Sequence, residues 1–184
     1  MEKHKISKKS AETGSVFTSD KALLKKGITI RNKIITDQEI RQFAKRAARQ
    51  IEIDYKDSTK KLVLYVSMIG GIYIATVLSQ ELSKLKVKHV LAIVRIKSYK
   101  GQQQGDVVMY EGPEDDFEDC DLIVVEDILD NGVTLRALFD YISNLTKKPY
   151  SVAYLVMLIK DNRKRGRMPF RVTYKGLLIK KSVW

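Results

Sequence analysis

Two adjacent carboxylates, Glu126 and Asp127, stand just ahead of a turn of small and polar residues, Asp130-Asn131-Gly132-Val133-Thr134. Four apolar residues, Leu122 to Val125, precede the acids, and an amphipathic stretch follows the turn. A strand, a small-residue turn and a helix start make an anion site, because unpaired backbone N–H groups point outward and the helix dipole favours negative charge. Gly132 lets the backbone approach a ligand without a Cβ, and the Thr134 hydroxyl offers a further donor. The acidic pair cannot hold that anion. Its partners are sugar hydroxyls or a divalent cation. Together these groups describe a receptor for a phosphorylated sugar. An ordinary buried strand, turn and helix explains Leu122 to Val125 equally well, but not the two carboxylates followed by Asp130, Gly132 and Thr134.

These groups need a frame. The apolar, Val- and Ile-rich runs Leu62 to Ser67, Lys88 to Ile96, Asp121 to Val125 and Tyr150 to Ile159 predict buried strands. Gly70-Gly71 breaks the first of them, and Ile72 to Leu85 continues as a helix; Gly132 to Leu145 predicts another. Ile28 to Thr36 reads as extended. Thr36-Asp-Gln-Glu39 has the form of a capping box, ahead of a helix that sets Ile40, Phe43, Ala44, Ala47, Ala48 and Ile51 on one face. Lys97 to about Glu118 is a long polar loop, and Lys160 to Trp184 is a basic tail with short β-like runs. Strands alternating with helices imply right-handed crossovers and a parallel sheet covered on both faces. Ligands in such sheets bind beyond the C-terminal strand ends. Ser67 to Gly71, Ser98-Tyr99, Glu126 to Thr134 and Lys160 all follow strands and are expected on one rim.

A chain of 184 residues is long enough for one α/β domain with a real core. No apolar run approaches the ~20 residues of a membrane span, and the amino terminus lacks the apolar centre of a secretory signal. The single Cys120 excludes an internal disulfide and a multi-cysteine zinc site, and it reads as an inert half-buried thiol in a cytoplasmic protein. The net charge of +12 raises the local concentration of polyanions, although it is spread along the chain with concentrations at Lys84–Lys100 and Lys160–Lys181.

The run from Leu122 to Thr134 resembles the phosphoribosyl-diphosphate (PRPP) loop of the type I phosphoribosyltransferase family: four hydrophobics, two acids, two hydrophobics, Asp or Asn, a small residue, Gly, any residue, Thr. The likeness covers about Ile28 to Trp184 and is nearest to the purine salvage branch, the hypoxanthine-guanine and xanthine-guanine members. It implies a single α/β domain over residues 21–184, with a parallel sheet flanked by helices and a small C-terminal hood at 160–184, behind a disordered basic arm at 1–20. It also implies Mg²⁺-dependent transfer of the 5-phosphoribosyl group of PRPP to hypoxanthine, guanine or xanthine, giving a purine nucleoside monophosphate and pyrophosphate. By the same likeness, the amides of Asn131, Gly132, Val133 and Thr134 hold the 5′-phosphate, and Glu126 and Asp127 grip the ribose hydroxyls directly or through Mg²⁺. Asp130 assists proton transfer near N7 of the base and counters charge on the ribose ring. Ser67, Met68, Ile69, Gly70 and Gly71 form a pyrophosphate loop in which a cis peptide is common, and Ser98 and Tyr99 belong to a lid. Lys160 donates to O6 of the base, Trp184 stacks on it, and Ile128 completes the base site.

Three departures stand out. Ile69 occupies the place of a Lys or Arg, Asp161 replaces a Pro, and the chain ends at Trp184, where relatives continue with a segment that contacts the 2-position of the base. A regulatory or RNA-binding protein on the same scaffold is therefore an alternative reading, supported by the +12 charge. A phosphoribosyltransferase for another base, such as a pyrimidine, is a third, against which Lys160 and Trp184 argue. Relatives form dimers or tetramers, so a homo-oligomer is expected.

Overall fold

Thr36 and Glu39 start the first helix as their spacing implies: the Glu39 N–H donates to the Thr36 hydroxyl at 3.3 Å, and the Glu39 carboxylate accepts from the Thr36 N–H at 3.0 Å. Beyond this cap, Phe43, Ala44, Ala47, Ala48 and Ile51 are at most 1% exposed, and Ile40 is half-buried. The expected apolar stripe is thus the face that meets the sheet.

This architecture comes from a computed structural model that describes residues 28–30, 35–97, 109–111, 117–162 and 165–179. The arm at 1–20 and the site candidates Ser98, Tyr99 and Trp184 lie outside the described residues. The elements are β1 (Ile28–Ile30), α1 (Asp37–Tyr55), β2 (Leu62–Met68), α2 (Gly71–Lys84), β3 (Val90–Lys97), β4 (Met109–Glu111), β5 (Asp121–Leu129), α3 (Val133–Ser143), β6 (Ser151–Lys160) and β7 (Tyr174–Ile179). They build one seven-stranded sheet in the order β1-β7-β6-β5-β2-β3-β4. Every neighbouring pair is parallel except β3 and β4.

Helices α1 and α2 cover one face, where Phe43, Ile51, Leu78 and Leu82 pack on Leu64, Ile123 and Leu155. Helix α3 covers the other face, where Leu135 and Leu138 pack with Tyr65, Leu122, Val124 and Phe117. Cys120, expected as half-buried, is 1% exposed in this second core. The buried Asp121 anchors the foot of β5 by accepting from the hydroxyls of Ser58 and Ser151.

Three elements differ from the reading of the chain alone. The strand expected to stop at Val125 runs to Leu129, so Glu126 and Asp127 sit inside β5. Cross-strand pairing explains the extension, because β6 matches β5 as far as Leu129↔Ile159 and its backbone hydrogen bonds outweigh the local polarity of the two acids. The long polar loop contributes β4, an antiparallel edge strand. The basic tail divides into the non-strand residues 161–162 and 165–173 and β7, which joins the main sheet between β1 and β6.

Both cores touch the central strands, so those strands carry the stability. Leu64 is fully buried between α1, α2 and the sheet, and Leu64→Ala should cost about 2–5 kcal/mol in denaturant unfolding, through lost transfer energy and the cavity left behind.

Candidate active site

The parallel register brings three described segments to one end of the sheet: the loop after β2, the end of β5 with its turn, and the end of β6. Val66 pairs with Val125, so the loop after β2 lies beside the acidic pair on β5. Leu129 pairs with Ile159, so Asp130 and Lys160, each next in sequence, stand side by side.

Glu126 is 6% exposed, and its Oε2 has no hydrogen-bond partner among the described residues. Its Oε1 accepts from the Asp127 N–H at 3.1 Å. Burial, and then the adjoining Asp127 carboxyl, push the Glu126 pKa up to about 9, against a smaller opposing pull from the Ser67 hydroxyl. Asp127 is half-buried and points over the glycine pair: a Cβ on Gly70 would fall 2.3 to 2.6 Å from its carboxylate atoms. A Cβ on Gly71 would lie 2.8 Å from Val125 O. The two glycines are thus the condition for close approach of the β2 loop to the acids. Ser67 is buried, Met68–Ile69 is a cis peptide, and Ile69 is 75% exposed. Ile69, which the resemblance sets in the place of a Lys or Arg, therefore faces solvent.

This acidic pair fits a divalent cation. Two crowded carboxyls, one buried with an orphaned oxygen, present hard oxygen donors. Among the described residues no cluster of three or more His, Cys, Asp or Glu side chains could hold a metal alone. One or two carboxylates are what Mg²⁺ takes from a protein when phosphate oxygens and water complete its shell.

Asp130 turns away from the helix it precedes. Its Oδ2 accepts from Lys160 Nζ at 2.7 Å and its Oδ1 from Asn162 Nδ2 at 3.0 Å. Lys160, with the Coulomb fields of Lys160 and Arg165 behind it, holds the Asp130 carboxyl below the usual carboxylate range. The Lys160 side chain is 9% exposed, whereas that of Asp130 is 43% exposed. Asp130 is therefore an open-faced carboxylate resting on a buried cation. The helix cap is Gly132 instead, at φ +79°, a left-handed conformation that disfavours any other residue. No side chain caps the α3 start through Gly132; Asn131 Oδ1 accepts from the Val133 N–H at 3.1 Å. The Val133 amide is thus engaged within the turn, a partner to be exchanged if an anion takes it. Ile128 is half-buried, beside Leu158.

Reading the chain alone missed Arg165, Asn162 and Arg136. Arg165 stands in the basic stretch Lys160–Lys181 with nothing local to mark it, yet its Nη1 donates to the carbonyls of Leu129, Asp130 and Lys160. Arg136 Nη2 donates to Arg165 O at 2.8 Å and Arg167 O at 2.9 Å. No sequence signal separates an Arg that caps carbonyls from one in water.

Residues 32–181 match the phosphoribosyl transferase domain. The chain is 29% identical over 148 residues to the hypoxanthine-guanine phosphoribosyltransferase of Dictyostelium discoideum, covering 79% of each protein. It is 28% identical over 138 residues to the hypoxanthine phosphoribosyltransferase of Escherichia coli strain K12, covering 74% of this chain and 75% of that one. Among solved structures, the hypoxanthine phosphoribosyltransferase of Trypanosoma cruzi superposes with a TM-score of 0.70 at 27% identity, over 82% of this chain and 80% of that one. A complex of the T. cruzi enzyme with the product IMP gives 0.69 at 28% identity, over 79% of each chain.

The Glu126 environment has a pH signature. Its folded pKa of about 9 lies above the unfolded value, so any stability it lends is fully present below about pH 4 and is lost as pH rises toward 9. Relative to Glu126→Gln, the wild-type protein without divalent cation should lose stability across that window, on the order of 1 kcal/mol per pH unit. Urea unfolding of both proteins from pH 4 to 9 measures the difference, and parallel curves would place the carboxyl in water.

Proposed function

Because this chain belongs to the phosphoribosyl transferase domain family, we propose that it transfers the 5-phosphoribosyl group of PRPP to a 6-oxopurine base (hypoxanthine, guanine or xanthine) with Mg²⁺, yielding a purine nucleoside monophosphate and pyrophosphate. The observation that carries this reading is the juxtaposition on one rim of the Glu126–Asp127 pair, the Gly132 turn, and a buried Lys160 bonded to Asp130. The similarity to hypoxanthine phosphoribosyltransferases of two kingdoms of microorganism supports it.

In the proposed reaction the base nitrogen takes C1′ as the pyrophosphate oxygen leaves, and positive charge builds on the ribose ring. The 5′-phosphate docks on the amides of Asn131, Gly132, Val133 and Thr134, where the α3 dipole adds to the donors. Glu126 and Asp127 receive the ribose hydroxyls directly or through Mg²⁺, which these two carboxyls would hold. Bound Mg²⁺ supplies neutralisation of the pyrophosphate oxygens as they depart. Backbone amides from Ser67 to Gly71, with Met68 and Ile69 among them, face the leaving group, and the exposed Ile69 offers it no cation. Ser98 and Tyr99 are proposed as a lid over it. Lys160 donates to O6 of the base, Ile128 and Trp184 enclose the ring, and Asp130, open on one side and anchored on the other, answers the proton at N7. Rate enhancement comes from placing the two reactants together and from fixed charges near C1′, with no covalent chemistry by the protein.

The proposal extends to a cytoplasmic homo-oligomer, dimer or tetramer; Leu91 and Ile93, on one face of β3, are 48% and 44% exposed and suited to a partner. No helix among the described residues is long and apolar enough to cross a membrane. A regulatory or RNA-binding role is favoured by the +12 charge together with the apolar Ile69.

Purified protein incubated with Mg²⁺, PRPP and each free base should release pyrophosphate and the matching nucleotide with at least one 6-oxopurine. Absence of any nucleotide, with no calorimetric binding of PRPP, would sink the transferase, and salt-dependent RNA binding in its place would establish the alternative. Gly70→Ala isolates the acidic pair: the new Cβ meets the Asp127 carboxylate at 2.3 to 2.6 Å and swings it aside. The Mg²⁺ and PRPP requirements should rise on the order of tenfold, one charge-assisted contact's worth, with stability changed by less than about 1 kcal/mol.

A further inference from the structure

Arg165 begins its work where β5 and β6 end. Its Nη1 donates to Leu129 O at 3.0 Å, Asp130 O at 3.1 Å and Lys160 O at 3.0 Å. The first two carbonyls lead into the phosphate turn, and the third belongs to the base-facing lysine. Carbonyls at the ends of parallel strands run out of ladder partners, and among these three Lys160 O also accepts from the Asn162 N–H at 2.9 Å. Three of them converging on one point repel one another unless a cation sits between them.

The guanidinium is itself held in place. The Arg165 N–H donates to Asn162 O at 3.1 Å, and Asn162 also bonds Asp130. Arg136, on the first turns of α3, grips the carbonyls of Arg165 and Arg167. The Arg165 stem runs under the phosphate turn, where a Cβ on Gly132 would come within 3.3 Å of Cδ and 2.7 Å of Met168 Sδ. One side chain therefore touches the end of β5, the end of β6, and the underside of the helix cap.

We propose that Arg165 is a positioning residue that locks the phosphate turn and Lys160 into one rigid unit, so that PRPP and base are presented to each other in a fixed relation. The role rests on the transferase reading given above. Arg165 acts through backbone carbonyls and so differs from a side chain that binds one substrate. Its loss must loosen both half-sites together, whereas loss of a substrate contact weakens one.

Arg165→Met keeps the stem and removes the donors. Its KM values for PRPP and for base should both rise, and kcat should fall, each on the order of tenfold, since catalysis depends on near-attack placement. Arg165→Lys should recover most of this loss, because an ammonium offers three donors to three acceptors. Arg171→Ala, an exposed arginine of the same loop, should match wild type in all three parameters. Amide hydrogen exchange provides a second readout independent of turnover: Arg165→Met should accelerate exchange at residues 130–132 and 160–162 together. A rise in one KM alone, no recovery by lysine, or faster exchange at only one strand end would overturn the proposal. Should Arg165→Met fail to fold, Arg165→Lys decides alone, with near wild-type KM values and exchange supporting the lock and a single raised KM refuting it. If wild type itself makes no nucleotide, the transferase reading falls, while the paired exchange pattern still confirms or refutes the lock.

Discussion

The parallel pairing of β5 with β6 is the interaction on which the site depends. Its register, ending at Leu129↔Ile159, sets Asp130 next to Lys160. A slip of one residue would turn every side chain of either strand to the opposite face. Both strands are buried on both faces through their centres, so the hydrophobic cores enforce that register far from the rim. Function is thus specified by apolar residues such as Val124 and Leu155, which touch no ligand.

The rim holds two opposed electrostatic arrangements a few residues apart. Glu126 and Asp127 are two carboxyls crowded together, and burial with the neighbouring Asp127 disfavours charge on Glu126, a penalty that a bound cation would offset. Asp130 and Lys160 are opposite charges already satisfied. The first is arranged to gain on binding; the second is arranged to stay still. An ion pair with one buried and one open partner adds little net stability, since desolvation of Lys160 offsets the attraction, so its value here lies in holding Lys160 at a defined place beside Asp130.

Close approach is the second theme. Gly70 admits the Asp127 carboxylate, and Gly132 adopts a left-handed turn over Met168 and Arg165. At both places a missing Cβ lets one loop settle against another. A Cβ at either place would meet the opposite side chain at 2.3 to 2.7 Å, closer than van der Waals contact allows, so something must shift.

The chain by itself determined the order of strands and helices, the capping box, the apolar faces, and the conjunction of an acidic pair with a small-residue turn. Each is a local pattern of side-chain type and spacing, visible in one dimension because its physics acts over a few residues. Tertiary structure decided the rest. It carried β5 on through Glu126 and Asp127, because pairing energy from β6 comes from residues about 30 positions away. It placed β7 in the main sheet, engaged the Val133 amide with Asn131, and bonded Asp130 to Lys160. It also separated Arg165 from its basic neighbours, sending it to three carbonyls whose convergence exists only after the strands have paired. Long-range partners decide what a polar side chain does, and a linear sequence lists the side chains without the partners.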